Sequence, residues 1–486
     1  YDQLQKKLRE MTVAISLGVH KGFLLLSVGP SNDHLAQLGQ GKVLADHPKL
    51  APLRSQATNP ITGIAYASEE LMHAAATKPE DIDEMVGLAK QLLPLAELDD
   101  DEEKQILADA EELAKDIKPY IPTIGAQLGF SFLTDRGYEA YRYNWVTNSQ
   151  LDGSKPLPLL NHLGGSPMFA VLARTEYRPQ DYELIVKWLK KGRVYFEKYA
   201  VPEMKENEQE QYQQLAEVAF PILGRLDTIN REKLVPSMAD GQGGLSIDTE
   251  AKTTQWTTKL PATAEPIALP SPALVMGLKD PDLFKAALGE YRLVINDLIK
   301  AIHKINPDEV PDVQLPPAKL RQLNNGEEVF YYPLPEDLGV YERVAPNIAV
   351  TDTMAAMSML PRHTIKIVKS QPLAVDGGPL KTTDRPLASV VYFSWENLID
   401  MVTPWVNEGV RAYVRSMEEA LGGLQLDEGL NADGDSDMAK PILEHVRQGA
   451  ELLKAFRGYT SATYVEEGVL VTHSESRFQD VDQDVD

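Results

Sequence analysis

Residues 387–398 read LASVVYFSWENL, and this stretch decides the fold. The run from Leu387 to Phe393 is apolar and rich in β-branched and aromatic residues, so it reads as a strand. Ser394 then stands where a helix N-cap belongs, and Glu396 falls in the first helical turn, where the dipole favours an anion. The same order recurs at 61–67, an apolar strand followed by Ser68, Glu69, Glu70 and Leu71. Residues 168–173 lead to Pro179 and Asp181, and residues 273–278 to Asp280, Pro281 and Asp282. Both keep the strand-to-helix logic, with Pro near the first turn.

Paired β-rich runs flank these units. Hairpins are predicted at 13–17 with 23–28, 127–132 with 139–145, 244–249 with 253–258, 348–351 with 354–360, and 460–465 with 469–474. Most are joined by Gly, Asp or Lys turn residues. Counted from Val13, Ile124, Gly243, Ile348 and Tyr459, the units start 111, 119, 105 and 111 residues apart. Such even spacing points to an internal repeat. The first and fourth hairpins run into a Pro turn, at Pro30 and Pro361; the other three carry acidic turns. If a three-hairpin unit is duplicated, one hairpin is owed at the front. Roughly a hundred residues would then precede Tyr1, or the first sheet lacks an edge partner.

Three- and four-residue apolar spacing predicts helices at 80–93, 101–117, 181–199, 209–223, 282–305, 396–421 and 438–456. Acidic stretches at 97–103, 203–211 and 479–486 read as solvated surface, and the Pro-rich segment 307–317 as a strap or linker. The fold class expected is therefore α+β. Internally repeated hairpin–strand–helix units form antiparallel or mixed sheets under long helices, in two pseudo-repeated halves, 1–235 and 236–486.

Composition narrows the function classes. The chain has 486 residues, a net charge of −24 and no cysteine. Disulfide frameworks, thiolate metal sites and cysteine nucleophiles are excluded. The acidic balance argues against nucleic acid, since phosphate contacts need clustered Lys and Arg. No apolar run reaches the roughly 18 residues of a membrane span.

Catalytic motifs fail one by one. Gly164-Gly165-Ser166-Pro167 puts Pro where a nucleophile elbow needs a free donor. Gly39-Gln40-Gly41-Lys42-Val43 lacks the first Gly and the Ser/Thr of a phosphate loop. Asp240-Gly241-Gln242-Gly243-Gly244 precedes a strand instead of opening a helix, which makes it an approach turn. The nine histidines show no ligand spacing, His34 and His47 being surface residues of a linker. Nothing selects a carboxylate pair for a hydrolase.

Two candidate sites remain. Asp433, Asp435, Asp437 and Glu444 stand at the first, third, fifth and twelfth positions of a calcium loop. Met438 occupies the position that needs Gly, so calcium competes with a plain acidic loop; no other cofactor is indicated. Tyr141, Tyr143 and Trp145 share one strand face by the period of two. They form either an aromatic platform for a sugar or apolar ligand, or the core face of the sheet.

Residues 22–53, with an apolar strand, Ser27-Val28-Gly29-Pro30, a short helix and Leu44-Ala45-Asp46-His47-Pro48, carry a family likeness. So do the turn-rich hairpin at 459–478 and the Ser-capped strand–helix units. Together they resemble large extracytoplasmic bacterial proteins of the planctomycete type, a group of unknown function. The resemblance implies export beyond the cytoplasmic membrane and transfers no catalytic residue. The expected function is a non-catalytic extracytoplasmic structural or scaffolding protein that self-associates or meets a protein partner. The alternatives are a binding module for an apolar or glycan ligand between the halves, and an acid-dependent hydrolase.

Overall fold

The computed structural model describes residues 12–96, 98–305, 307, 313–323, 327–335, 338–375, 377–421 and 438–479. They fall into two compact units, Tyr1–Pro60 and Ile61–Asp486.

In the first unit, strands β1 (Ala14–His20) and β2 (Phe23–Gly29) form an antiparallel hairpin around Lys21 and Gly22, both at positive φ. Its apolar side chains stay exposed, Leu17 at 70% and Leu24 at 72%. Ser27 Oγ meets His34 Nε2 at 2.7 Å, so His34 is tied back to the strand.

The second unit is α+β, as expected. In chain order it contains β3 (Ile61–Ala67), helices α1 (Pro79–Leu92) and α2 (Asp100–Ile117), β4 (Gln127–Thr134), β5 (Gly137–Asn144) and β6 (Phe169–Arg174). Helices α3 (Pro179–Tyr195) and α4 (Glu206–Ile229) follow, then β7 (Gln242–Asp248), β8 (Lys252–Thr253), β9 (Ile267–Ala268), β10 (Ser271–Gly277) and α5 (Pro281–Ile305). The chain continues through β11 (Lys319–Gln322), β12 (Glu328–Tyr331), β13 (Asn347–Val350), β14 (Met354–Ser358) and α6 (Pro361–Val368). It closes with β15 (Ser389–Ser394), α7 (Trp395–Leu421), α8 (Ala439–Leu453), β16 (Phe456–Glu466) and β17 (Val469–Phe478).

Thirteen of these strands make one sheet, in the order β11-β12-β13-β14-β10-β7-β6-β15-β16-β17-β5-β4-β3. Among the described residues every pairing is antiparallel, so the allowance for mixed sheets is not needed. Strands from either side of residue 235 interleave in it.

One expected hairpin is corrected. β7 pairs with β6 and β10, and residues 252–253 leave to join β9. The glycines at the start of β7 allow this close approach: a Cβ on Gly244 would stand 2.4 Å from Val171 O. The strands β11 and β12 were not foreseen; they lie just past the predicted strap, and their short polar-flanked runs carry little alternation.

Alternation along β4 explains the burial. Leu128, Phe130 and Phe132 are buried on one face, while Gln127, Gly129 and Ser131 turn to the other. The buried face continues across the sheet through Leu172, Val275, Ala349 and Val390 and is covered by Leu157, Leu163, Ile367 and Leu387. On the opposite face α5 covers the sheet through Phe284, against Leu278, Val350 and Ala355. Helices α4 and α5 join through Ile222, Ile229, Ala287 and Val294. Each of the Leu, Ile, Val and Phe side chains among these contributes about 1.5–3 kcal/mol of burial, and each Ala less.

The blocks β3–β4–β5 and β15–β16–β17 share a register. Tyr66 pairs with Leu128 and Ala67 with Gln127; Tyr392 pairs with Thr460 and Phe393 with Tyr459. Two residues past each tyrosine a serine caps a helix. Ser68 Oγ accepts from Leu71 N and Ser394 Oγ from Asn397 N, both at 3.2 Å. In each block two longer helices separate the strand from the hairpin, and the hairpins meet through β5 and β17.

Candidate functional site

The predicted aromatic stripe exists as a row on β5. Tyr141 lies 5.6 Å from Phe130 and Tyr143 6.1 Å from it, while Tyr143 and Trp145 are 6.2 Å apart. On its other side Tyr141 stacks on His473 of β17 at 4.2 Å. Burial pushes both tyrosine hydroxyls up, that of Tyr143 to about 12. The stripe lies on the same sheet face as Phe130 and Phe132, which stand beside it on β4, and its three rings are half-buried.

A polar network continues from the stripe. Glu475, only 1% exposed, accepts from Arg136 Nε at 2.8 Å and Nη2 at 3.1 Å. Glu139, 3.8 Å from His473 Nε2, is raised above the ordinary carboxylate value by burial and by the neighbouring Glu475. His473 is pushed down to about 4, chiefly by burial and then by Arg385, with Glu475 opposing. Arg385 in turn lies over the Tyr464 ring at 4.1 Å. Gly378, at φ +66°, lets the chain pass over this pair: a Cβ there would stand 2.3 Å from Glu475 Oε2. The arrangement is an ion pair between a buried carboxylate and a part-exposed guanidinium, with a neutral imidazole beside it.

Open space lies at the end of the sheet. A cavity of about 1120 Å³ is bounded by the β4–β5 turn, the residue 374–375 segment, the β15–α7 junction and the terminal residues of β17. Its polar walls include Arg136, Arg457, Arg477, Asp135 and Glu396, with Tyr392 and Phe478 supplying rings. Arg457 donates to Glu396 and to Gln479. Ser166 Oγ and Tyr392 OH are 3.2 Å apart, and Asn397 Nδ2 donates to Ser166 O at 2.9 Å. Phe478 packs on Tyr138 at 5.6 Å. The three guanidinium groups are balanced by Asp135, Glu396 and, behind Arg136, Glu475. Glu396 and Glu475 are each held by a guanidinium.

No sequence signal marked this cleft, since its walls come from six separated segments. Ser166 belongs to the failed nucleophile motif, and Tyr392, Ser394 and Glu396 to the strand and cap that decide the fold; Gly164 and Gly165 take positive φ and donate to Gln371 O.

Of the four residues in the candidate calcium loop, Asp433, Asp435 and Asp437 lie outside the described residues. Glu444 sits on α8, where Arg447 bonds it at 2.6 and 3.0 Å and lowers its pKa. Among the described residues no three His, Asp or Glu side chains converge as a metal site, and no helix is long and apolar enough to cross a membrane.

The fold and cleft thus define an α+β protein built on one wide antiparallel sheet, with a charge-balanced cleft at its end. No protein-family model, curated protein or solved structure matches the chain.

Proposed function

We propose that the chain is a non-catalytic binding module that holds a glycan or similar neutral polyhydroxylated ligand in the cleft at the β15–α7 junction. The observation that supports it is the lining: planar donors and acceptors beside Tyr392 and Phe478, whose charges cancel once Glu475, which holds Arg136 from behind, is counted. Planar Arg, carboxylate and amide groups form paired hydrogen bonds with neighbouring hydroxyls, and rings take the apolar faces of a sugar. A charge-balanced wall suits a neutral ligand better than an ion. This moves the proposed site away from Tyr141, Tyr143 and Trp145, whose rings stack on one another and on Phe130 and His473. Calorimetry against a panel of neutral oligosaccharides tests it. Gln479→Ala and Tyr392→Phe should each weaken binding about tenfold. Absence of any heat of binding at about 10 mM oligosaccharide, where even millimolar ligands register, would sink the reading.

A second reading, a structural or scaffolding role, is favoured by the sheet's edges. β11 ends one side with Lys319 and Arg321, the usual guard against pairing. β3 ends the other with seven residues, ITGIAYA, that carry no charge. An extracytoplasmic location is proposed with either role, on the cysteine-free composition and the family likeness. Fractionation of the native host checks it: recovery with cytoplasmic markers would remove that part.

A further inference from the structure

We infer that one face of the β1–β2 hairpin docks on a bilayer surface that contains anionic lipid. The cross-strand register carries it. Ile15 pairs with Val28, Leu17 with Leu26 and Val19 with Leu24, and directly paired residues share a face. That face is six aliphatic side chains with no polar one among them. Each is between 63% and 75% exposed.

The opposite face is the polar one, and it is the face that the chain covers. Ser16 pairs with Ser27 there. Ser16 Oγ donates to Asn32 Oδ1 at 2.8 Å, and Ser27, buried, meets His34. Antiparallel sheets with one wet face turn their polar side chains to water and their apolar ones to a core. Here that order is reversed, and a two-stranded hairpin has little stability of its own in water. The aliphatic face therefore calls for a cover.

Charge selects the cover. Residues 1–60 contain seven Lys and Arg against four Asp and Glu, a net of +3, whereas residues 61–486 contain 41 against 68, a net of −27. Lys21 stands at the hairpin tip, and Lys42 in a loop where Leu38, Val43 and Leu44 are also exposed. Among the described residues neither lysine makes an ion pair. Aliphatic side chains flanked by lysine suit an anionic lipid surface, which takes the side chains at the acyl boundary and the ammonium groups at its phosphates. A second copy would bring an equal positive charge to the same face and be repelled. A protein partner's interface carries about one hydrogen bond per 100–200 Å², and this face has no side chain to make one. The hairpin lies flat with its aliphatic face down, which keeps its backbone groups among headgroups and water.

Sedimentation of the full chain with vesicles tests this. The chain should pellet with phosphatidylcholine vesicles carrying about 30% phosphatidylglycerol, and bind pure phosphatidylcholine at least about tenfold more weakly. Leu17→Ser with Leu26→Ser should lower partitioning to the mixed vesicles at least about tenfold, with a melting curve to show that the variant is folded. Because the chain has no cysteine, Leu17→Cys or, as control, Gly18→Cys can each carry a single environment-sensitive fluorophore. Gly18 lies on the other face, and a Cβ there meets nothing within 4 Å. Mixed vesicles should shift the emission of the Leu17→Cys probe to the blue and leave the Gly18→Cys probe unchanged. Absence of pelleting, equal pelleting with both kinds of vesicle, unchanged partitioning of the folded serine variant, or an equal response from the two probes overturns the proposal. A blue shift at Leu17→Cys that grows with protein concentration without vesicles assigns the face to a second copy and overturns it too. None of these outcomes touches the cleft, whose residues all belong to the second unit.

Discussion

The Tyr141 ring lies on the His473 imidazole at 4.2 Å with 8° between the planes, directly across the β5–β17 ladder. Tyr141 is four residues into β5 and His473 four residues into β17, so the pair marks where the two matching sheet blocks meet.

That position has a pH signature. His473 titrates near 4 in the folded chain, against about 6.5 when unfolded. Between those values the unfolded chain binds a proton that the folded chain does not, so stability present at pH 7 is lost as pH falls. At pH 5 the loss from this residue is about 2 kcal/mol. Glu139, raised by burial and by Glu475, acts with the opposite sign, and buried His363, also lowered, adds to the loss. His473→Phe keeps a stacked ring and removes the titration. Urea unfolding at pH 7 and pH 5 should show a smaller acid loss in the variant; an equal loss would clear His473 of the role.

The Arg136–Glu475 pair is expected to matter more when half of it is removed than when both halves go. Arg136→Met leaves a carboxylate buried without its guanidinium, at a cost of about 3 kcal/mol. Adding Glu475→Leu should restore most of that stability. Denaturation midpoints of the single and double variants decide it, and additive losses would contradict this view of the pair.

Gly378→Ala should destabilise by at least about 2 kcal/mol, because it forces an L-residue into φ +66° and a methyl group onto Glu475 Oε2. Combined with Glu475→Ala, part of the penalty should vanish, since the steric half of it is gone. A double-mutant cycle by thermal melting measures the coupling.

Docking of α2 on α3 is expected to depend on salt. Lys191 bonds Asp109 at 2.5 Å and also Glu112, while Trp188 Nε1 donates to Asp116 at 3.0 Å. Lys191→Met should cost up to about 1 kcal/mol at low ionic strength and less at 1 M salt. Melting curves at the two salt concentrations test this; a salt-independent loss would assign the effect to packing of the lysine stem.

Much of the fold was legible because burial on one face leaves a local trace. The strands 61–67, 168–173 and 387–393 and the hairpins at 127–145 and 460–474 show it in alternation or apolar runs, and the caps at Ser68 and Ser394 show it in a single hydroxyl. β8 and β9 were illegible: two residues each carry no period, and the third hairpin was misread because β7 finds its partners elsewhere. The aromatic stripe was visible, but its use was not, since Phe130 and His473 reach Tyr141 from other strands.

The amino-acid sequence by itself determined most element types, the serine caps and the exclusion of thiol chemistry. These follow from neighbours along the chain, through side-chain period, capping and composition. Only the tertiary structure decided that thirteen strands from β3 to β17 merge into one sheet while β1–β2 stays apart, that one edge strand is charged and the other uncharged, and that Arg136, Glu396, Arg457 and Phe478 share a cleft. Those facts depend on which strand meets which at long range, and pairing of that kind is selected by the whole packed sheet, not by any one segment.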